Sequence, residues 1–256
     1  MSADERQHRS PDLSGEEWLV LLSSGEVEIE GRLPWSSNYS FLVTVSGSRP
    51  GPEGAEEAVS GRAVYKPGRG ERPLWDFGEN LYRREVAAYE LSAALGLSLV
   101  PETVLRLDGP LGPGSLQRFI EADFEQHYFT LLGERRFHPR LKELAGFDVL
   151  ANNADRKAGH VLLDGEEHIW GIDNGLSFHQ DVKLRTVIWD FAGEEIPAVV
   201  LEACETVAER GAPETVRELI DGDESAALVA RARAMLRHRR LPAPRDDHRS
   251  YPWPLV

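Results

Sequence analysis

The stretch Asn152-Asn153-Ala154-Asp155-Arg156-Lys157-Ala158-Gly159-His160 is answered, one β-hairpin later, by Gly171-Ile172-Asp173-Asn174-Gly175. The first interrupts a helical pattern over 138–152 and delivers a polar loop directly before an apolar strand, His160–Leu163. The second closes the returning strand, His168–Ile172, with the turn Asp164-Gly165 between the two. Asp155 and Asp173 therefore stand at the two open ends of one hairpin, where their side chains can converge. Taken singly, Asp155-Arg156 reads as a solvated charge cluster. Asp173-Asn174-Gly175 reads as an ordinary tight turn, because Asn-Gly is the strongest short hairpin signal. Their order around one hairpin gives them weight.

Outward from this hairpin the chain has two characters. Downstream of Glu121, segments 123–133, 138–152, 194–210, 213–221 and 223–240 carry helical periodicity, with Pro213 and Asp223 as starts. Upstream, Ser14 and Glu17 fit a capping box for a helix through Leu22, which Gly25 is expected to end in the left-handed conformation. Val27, Ile29 and Leu33 alternate with polar residues as a half-buried strand does. A polar turn over Pro34–Asn38 leads to a strand over Tyr39–Val45, and 46–60 reads as a Gly/Pro/Glu-rich surface loop. Gly61–Lys66 is a strand stopped by Pro67, 80–95 is a helix closed by Gly96, and two strands follow near 102–107 and 115–120. The expectation is an α+β chain with a flexible tail over 1–16 and a Pro-rich tail over 241–256. Between the tails lie a β-rich lobe over 17–120 and a helical lobe over 121–240, with ligands in a cleft.

Composition removes several function classes. The 256 residues carry 29 Lys and Arg against 43 Asp and Glu, a formal net charge of −14, which repels nucleic-acid backbones and anionic headgroups. The single cysteine, Cys204, forms no internal disulfide and no CxxC pair. No stretch approaches the roughly 20 apolar residues of a membrane span. The polar start MSADERQHRS lacks the apolar core of a secretory signal, so the expected location is cytoplasmic. Neither GxGxxG nor GxxxxGK[ST] occurs, which excludes a Rossmann fingerprint and a P-loop.

On the helix 80–95, Leu81, Tyr82, Ala88, Tyr89 and Leu95 share one arc, and Glu85 sits in the middle of it. A carboxylate on an apolar face is costly unless paired. Lys66, at the end of a core-like strand, is its natural partner. Two residues alone describe a structural ion pair. Phosphoryl transfer needs more: a lysine on the phosphates held by a glutamate, a carboxylate to orient the hydroxyl, and a second to hold metal. Lys66, Glu85, Asp155 and Asp173 supply that set in order.

The sequence Val64-Tyr65-Lys66-Pro67, the helix segment Arg83 to Leu91, the loop Asn152 to His160 and the turn Gly171 to Gly175 together resemble the atypical kinases related to phosphoinositide 3- and 4-kinases and HipA-type kinases. They look most like an actinobacterial branch of kinase-like proteins, over about residues 25–190. The resemblance implies a two-lobed protein-kinase-like fold and transfer of phosphate from ATP, with Mg or Mn, to an alcohol on a small polyol or inositol-type molecule or on a protein Ser or Thr. It implies that Lys66 contacts the nucleotide phosphates and Glu85 pairs with it, and that Ser36, Ser37 and Asn38 cover the phosphates. Gln117, Arg118, Phe119 and Ile120 would form the hinge whose backbone meets adenine. Asp155 would be the catalytic aspartate and Asp173 the metal aspartate, with Arg156 and Lys157 facing substrate.

The family carries asparagine, or glutamate in some branches, where this chain has His160. Imidazole suits manganese, iron or zinc better than magnesium. His160 is therefore expected beside Asp173 on the metal. The rival readings are a pseudokinase acting as a nucleotide-binding or interaction module, and AMP transfer on the same fold. Zinc hydrolysis lacks any HExxH spacing, and Ser-His-Asp catalysis lacks GxSxG. The basic run Arg231 to Arg240 suits a helix C-terminus. The segment 176–193 is expected to face the acceptor, with Trp189 and Phe191 packing it down.

Overall fold

The computed structural model describes residues 13–34, 38–51, 55–72, 74, 76–246 and 249–256. Ser14 and Glu17 close the expected capping box, the Ser14 hydroxyl accepting from the Glu17 N–H and Glu17 Oε2 accepting from the Ser14 N–H at 2.8 Å. They start α1 (Gly15–Ser24), whose Trp18, Leu21 and Leu22 are buried. Gly25 does not end this helix in the left-handed region: its φ is −68°. A glycine is needed there for closeness instead, because a Cβ would lie 2.6 Å from Leu21 O and from Val45 Cγ1.

Five strands follow: β1 (Glu26–Arg32), β2 (Phe41–Pro50), β3 (Glu56–Pro67), and, after α2 (Leu81–Ala94), β4 (Thr103–Arg106) and β5 (Gly114–Arg118). They form one antiparallel sheet in the order β1-β2-β3-β5-β4. Alternation in β3 buries Gly61, Ala63 and Tyr65 and turns Arg62, Val64 and Lys66 to the other face. The buried row meets Trp18, Leu21, Leu22, Val43, Val45 and Leu116 in one core. The Trp18 ring rests on Gly61, where a Cβ would stand 2.2 Å from it. The span 46–60, read as a loop, is largely strand. Gly47 pairs with Val59 and Arg49 with Glu57, whose side chains bond at 3.0 Å. This ribbon buries no face, so it lacks the apolar alternation that reveals a strand.

The remaining elements are α3 (Tyr128–Leu131), α4 (His138–Ala151), β6 (Val161–Leu163), β7 (Ile169–Gly171), α5 (Ala198–Arg210), α6 (Glu214–Arg217) and α7 (Gly222–His238). The expected helices over 123–133 and 213–221 thus shrink to single turns. The strands β6 and β7 pair antiparallel, Leu162 facing Trp170. Around them Phe147, Leu150, Phe178, Cys204, Val207, Leu228 and Ala232 form a second core.

The chain divides into two compact units. The first runs to Tyr82 and resumes over Glu102–Glu121; the second holds Arg83–Pro101 and Ala122–Val256. The fold class is the expected mixed one, with a β-sheet N-terminal region and a helical C-terminal part. Among the described residues no helix is long and apolar enough to cross a membrane.

Candidate active site

The site is built on the end of α4. Asn152 stops that helix in the left-handed conformation (φ 58°, ψ 50°), which Asn tolerates better than most residues. Its side chain then organises the segment after the hairpin: Nδ2 donates to His179 O and Asp181 O, and Oδ1 accepts from Lys183 N at 2.9 Å. Next, Asn153 Oδ1 accepts the Asp155 N–H at 2.9 Å, a short turn that fixes the aspartate backbone.

Arg156 does not face substrate. Its side chain is fully enclosed and ion-pairs with the equally enclosed Asp148 of α4, Nη2 to Oδ1 2.8 Å. The same guanidinium donates to Ile172 O at 2.6 Å and to Asn174 Oδ1 at 2.7 Å. Five donors in a planar fork let one residue tie the helix, the loop and the Asp173 turn together. Burial pushes the Asp148 carboxyl up and the Arg156 charge opposes it. The sequence held a signal for this pair: Asp148 lies among Leu144, Phe147 and Ala151 on an apolar helix face, as Glu85 does on its own.

Asp155, His160 and Asp173 converge. One ligand atom of each lies within 4.8 Å of the other two, and none of the three is exposed. His160 Nε2 is 3.3 Å from Asp173 Oδ2, while its Nδ1 lies 3.4 Å from the Lys157 N–H. Asp173 adopts φ 57°, and the next N–H, of Asn174, donates to Glu85 Oε2 at 2.8 Å. Glu85 is itself buried, so the helix α2 holds the Asp173 turn through its one enclosed carboxylate. Lys157 Nζ sits 2.9 Å from Asp155 Oδ2. Burial pushes the Asp155 carboxyl up to about 6; the Lys157 charge pulls it down, Asp173 adds to the rise, and Arg185 pulls it down.

Arg185 is the residue that sequence reasoning missed. Its N–H donates to Asn153 O and its carbonyl accepts from Arg156 N, so its backbone is pinned on both sides of Asp155. Nothing in the sequence around 185 marks it. The two carboxylates and the imidazole make a mixed oxygen and nitrogen donor set that fits a divalent cation, manganese better than magnesium.

The other expected residues lie in the first unit. Lys66, next to last in β3, lies opposite Ser115 of β5. Asn38 Oδ1 accepts from Arg72 N at 3.0 Å, and Ser36 and Ser37 lie outside the described residues. Gln117 is buried and donates from Nε2 to Thr103 Oγ1. The N–H groups of Arg118 and Phe119 already donate to Glu102 O and Arg62 O, so adenine cannot draw on those two. Ile120 follows them, buried.

No family model matches the chain. Among solved structures, that of hydra Fam20 with sugar is similar over 89% of this chain and 88% of that one, with TM-score 0.54 and 14% identity. The proinflammatory kinase CtkA of Helicobacter pylori is similar over 86% of this chain and 94% of that one, with TM-score 0.49 and 11% identity. The likeness to Fam20 is one of fold, a kinase-like one. Protein Rv2133c of Mycobacterium tuberculosis is 36% identical over 272 residues, spanning 92% of this chain and 94% of that protein. With that identity over nearly the full length of both, the chain belongs to the family of protein Rv2133c.

Proposed function

We propose that this protein is an ATP- and metal-dependent phosphotransferase acting on an alcohol, of the group related to phosphoinositide 3-/4-kinases and HipA-type kinases. The observation that carries the reading is the convergence of Asp155, His160 and Asp173 within 4.8 Å on a kinase-like fold. Asp155 orients the acceptor hydroxyl and takes its proton. The hydroxyl oxygen bonds to the γ-phosphorus as the bond to the β,γ-bridging oxygen breaks, and ADP leaves with that electron pair. Asp173 and His160 would hold the divalent ion, whose charge would offset that of the phosphates. A carboxyl lifted by burial accepts a proton more readily at neutral pH than an ordinary aspartate. Lys157, on Asp155, suits the transferred phosphoryl group. Nucleotide-phosphate roles for Lys66, Ser36, Ser37 and Asn38 rest on the family resemblance alone, as does adenine contact at Ile120.

The test is a thermal-shift titration with ATP and manganese or magnesium on the parent and on Asp173→Ala. Ligand that binds only the folded state raises Tm by mass action. A metal-dependent rise in the parent, lost in the variant, supports the site. Asp155→Ala should keep that rise and lose turnover. His160 in place of asparagine favours a second reading, a pseudokinase module; a parent whose Tm is raised by no combination of nucleotide and metal would make that reading, in its interaction-module form, the better one.

A further inference from the structure

Beside the loop that carries Asp155 the second unit bears an open pocket of about 360 Å³ that the phosphotransfer chemistry does not use. Three aromatic rings line it, Phe129, Trp189 and Tyr251, and among the described residues Asp190 is its one charged group. Among the described residues no lysine, arginine or histidine lines it. The Trp189 and Tyr251 rings stand at 67° with centroids 6.5 Å apart, so they form two walls of a corner rather than a stack. The Tyr128 hydroxyl donates to Asp190 Oδ2 at 2.7 Å and fixes the carboxylate.

The walls are built before any ligand arrives. The Trp189 indole N–H donates to Ser250 O at 3.1 Å, and Thr186 N donates to the same carbonyl at 3.1 Å. Two further wall residues are bonded straight to the catalytic loop: Val187 N donates to Arg156 O, and Ala158 N donates to Leu255 O at 2.8 Å. The pocket thus adjoins Asp155 and Lys157 through the backbone on either side of Lys157.

Aromatic faces carry negative potential, and converging faces beside a carboxylate attract a cation that sheds water easily. An alkylated ammonium meets this need, its charge spread under a C–H surface. Among the described lining residues an anion meets only Asp190, and a bare polyol finds few hydrogen-bonding side chains. We infer that the pocket of Phe129, Trp189, Tyr251 and Asp190 recognises an alkylated ammonium group carried by a small alcohol. The assignment of that alcohol as the acceptor rests on the phosphotransferase reading; the binding itself does not.

The experiment is calorimetric titration of the full chain with choline and with 3,3-dimethylbutan-1-ol, its uncharged analogue of the same shape. Choline is expected to bind saturably, and the analogue roughly tenfold more weakly or worse. Asp190→Asn and Tyr251→Leu, both at exposed positions, should weaken choline by a similar factor at unchanged Tm, and Trp189→Phe should retain more affinity than Trp189→Leu. Equal binding of the two ligands, or no saturable choline binding, overturns the proposal, and neither result depends on a variant folding. Binding needs no nucleotide, so it succeeds or fails separately from the ATP titration. Where choline and metal–ATP both bind, labelled ATP should yield a choline phosphate ester; its absence there overturns the acceptor assignment.

Discussion

Asp148 Oδ1 and Arg156 Nη2 meet at 2.8 Å with both side chains wholly enclosed. Arg156 also holds Ile172 O and Asn174 Oδ1, so the pair fixes the Asp173 turn relative to α4. Removing one partner leaves an uncompensated buried charge. Asp148→Ala or Arg156→Met should each cost about 3–5 kcal/mol in urea unfolding. The double change to Leu and Met should recover much of that loss without restoring metal binding, since the turn loses its tie. Single variants within about 1 kcal/mol of the parent would contradict an ionic pair at this site.

His160 gives a prediction about metal choice. Its imidazole stands 3.3 Å from Asp173 and within reach of Asp155. If nitrogen is in the coordination shell, the parent should favour manganese over magnesium in the thermal-shift titration. His160→Asn should move that ratio toward magnesium by roughly tenfold or more. An unchanged ratio removes His160 from the ion.

Much of this arrangement was legible in the chain before any coordinates. The Ser14–Glu17 box, the alternation of β3 and the hairpin turn at Asp164-Gly165 each follow from local rules. The hairpin register, Val161 opposite Gly171, then brings the flanking residues His160 and Asp173 together. Arg156 was misread because its burial depends on an aspartate eight residues back on a helix, a tertiary fact. Arg185 and the tail over 249–256 are tied in through backbone carbonyls and amides, which every residue type but proline carries in full. Such contacts leave no mark in a sequence. The Gly/Pro-rich ribbon of β2 and β3 hid for the opposite reason: it buries nothing.

Cys204 sets a pH dependence. Burial pushes its thiol up to about 12 from an ordinary value of 9.0. The folded protein therefore keeps the thiol neutral while the unfolded chain ionises it from about pH 9 upward. The stabilisation is complete below pH 9 and is lost as pH rises toward 12, about 2 kcal/mol of it by pH 10.5. Cys204→Ala lacks this term. Its deficit relative to the parent in urea midpoints should therefore shrink between about pH 8 and pH 10.5. The native thiol should also resist alkylation at pH 8. A constant deficit with rapid native labelling would show the thiol to be accessible.

Gly61 tests the first core independently. The Trp18 ring lies where a Cβ would stand, 2.2 Å away. Gly61→Ala should cost about 1–3 kcal/mol, the usual cost of overpacking. Combining it with Trp18→Leu should cost less than the sum, because the smaller side chain opens the space. Strict additivity in the double variant would show that the ring and the glycine do not press on each other.

The C-terminal segment, expected as a Pro-rich tail, is fastened to the loop that carries Asp155 and His160. Ser250 O takes both Thr186 N and the Trp189 indole, and Leu255 O takes Ala158 N at 2.8 Å. Ala158 and Thr186 are buried, so without these carbonyls two enclosed N–H donors lose their partners, at about 1–3 kcal/mol each. Ala158 opens the turn that carries His160. Deleting residues 250–256 should therefore do two things. Hydrogen exchange at Ala158 and Thr186 should speed up far more than at buried amides of α5, and manganese affinity should fall although no ligand was removed. Unchanged protection at those two amides would mean that the loop holds its own shape; lost protection with unchanged manganese affinity would mean that the turn, once freed, still presents His160 correctly.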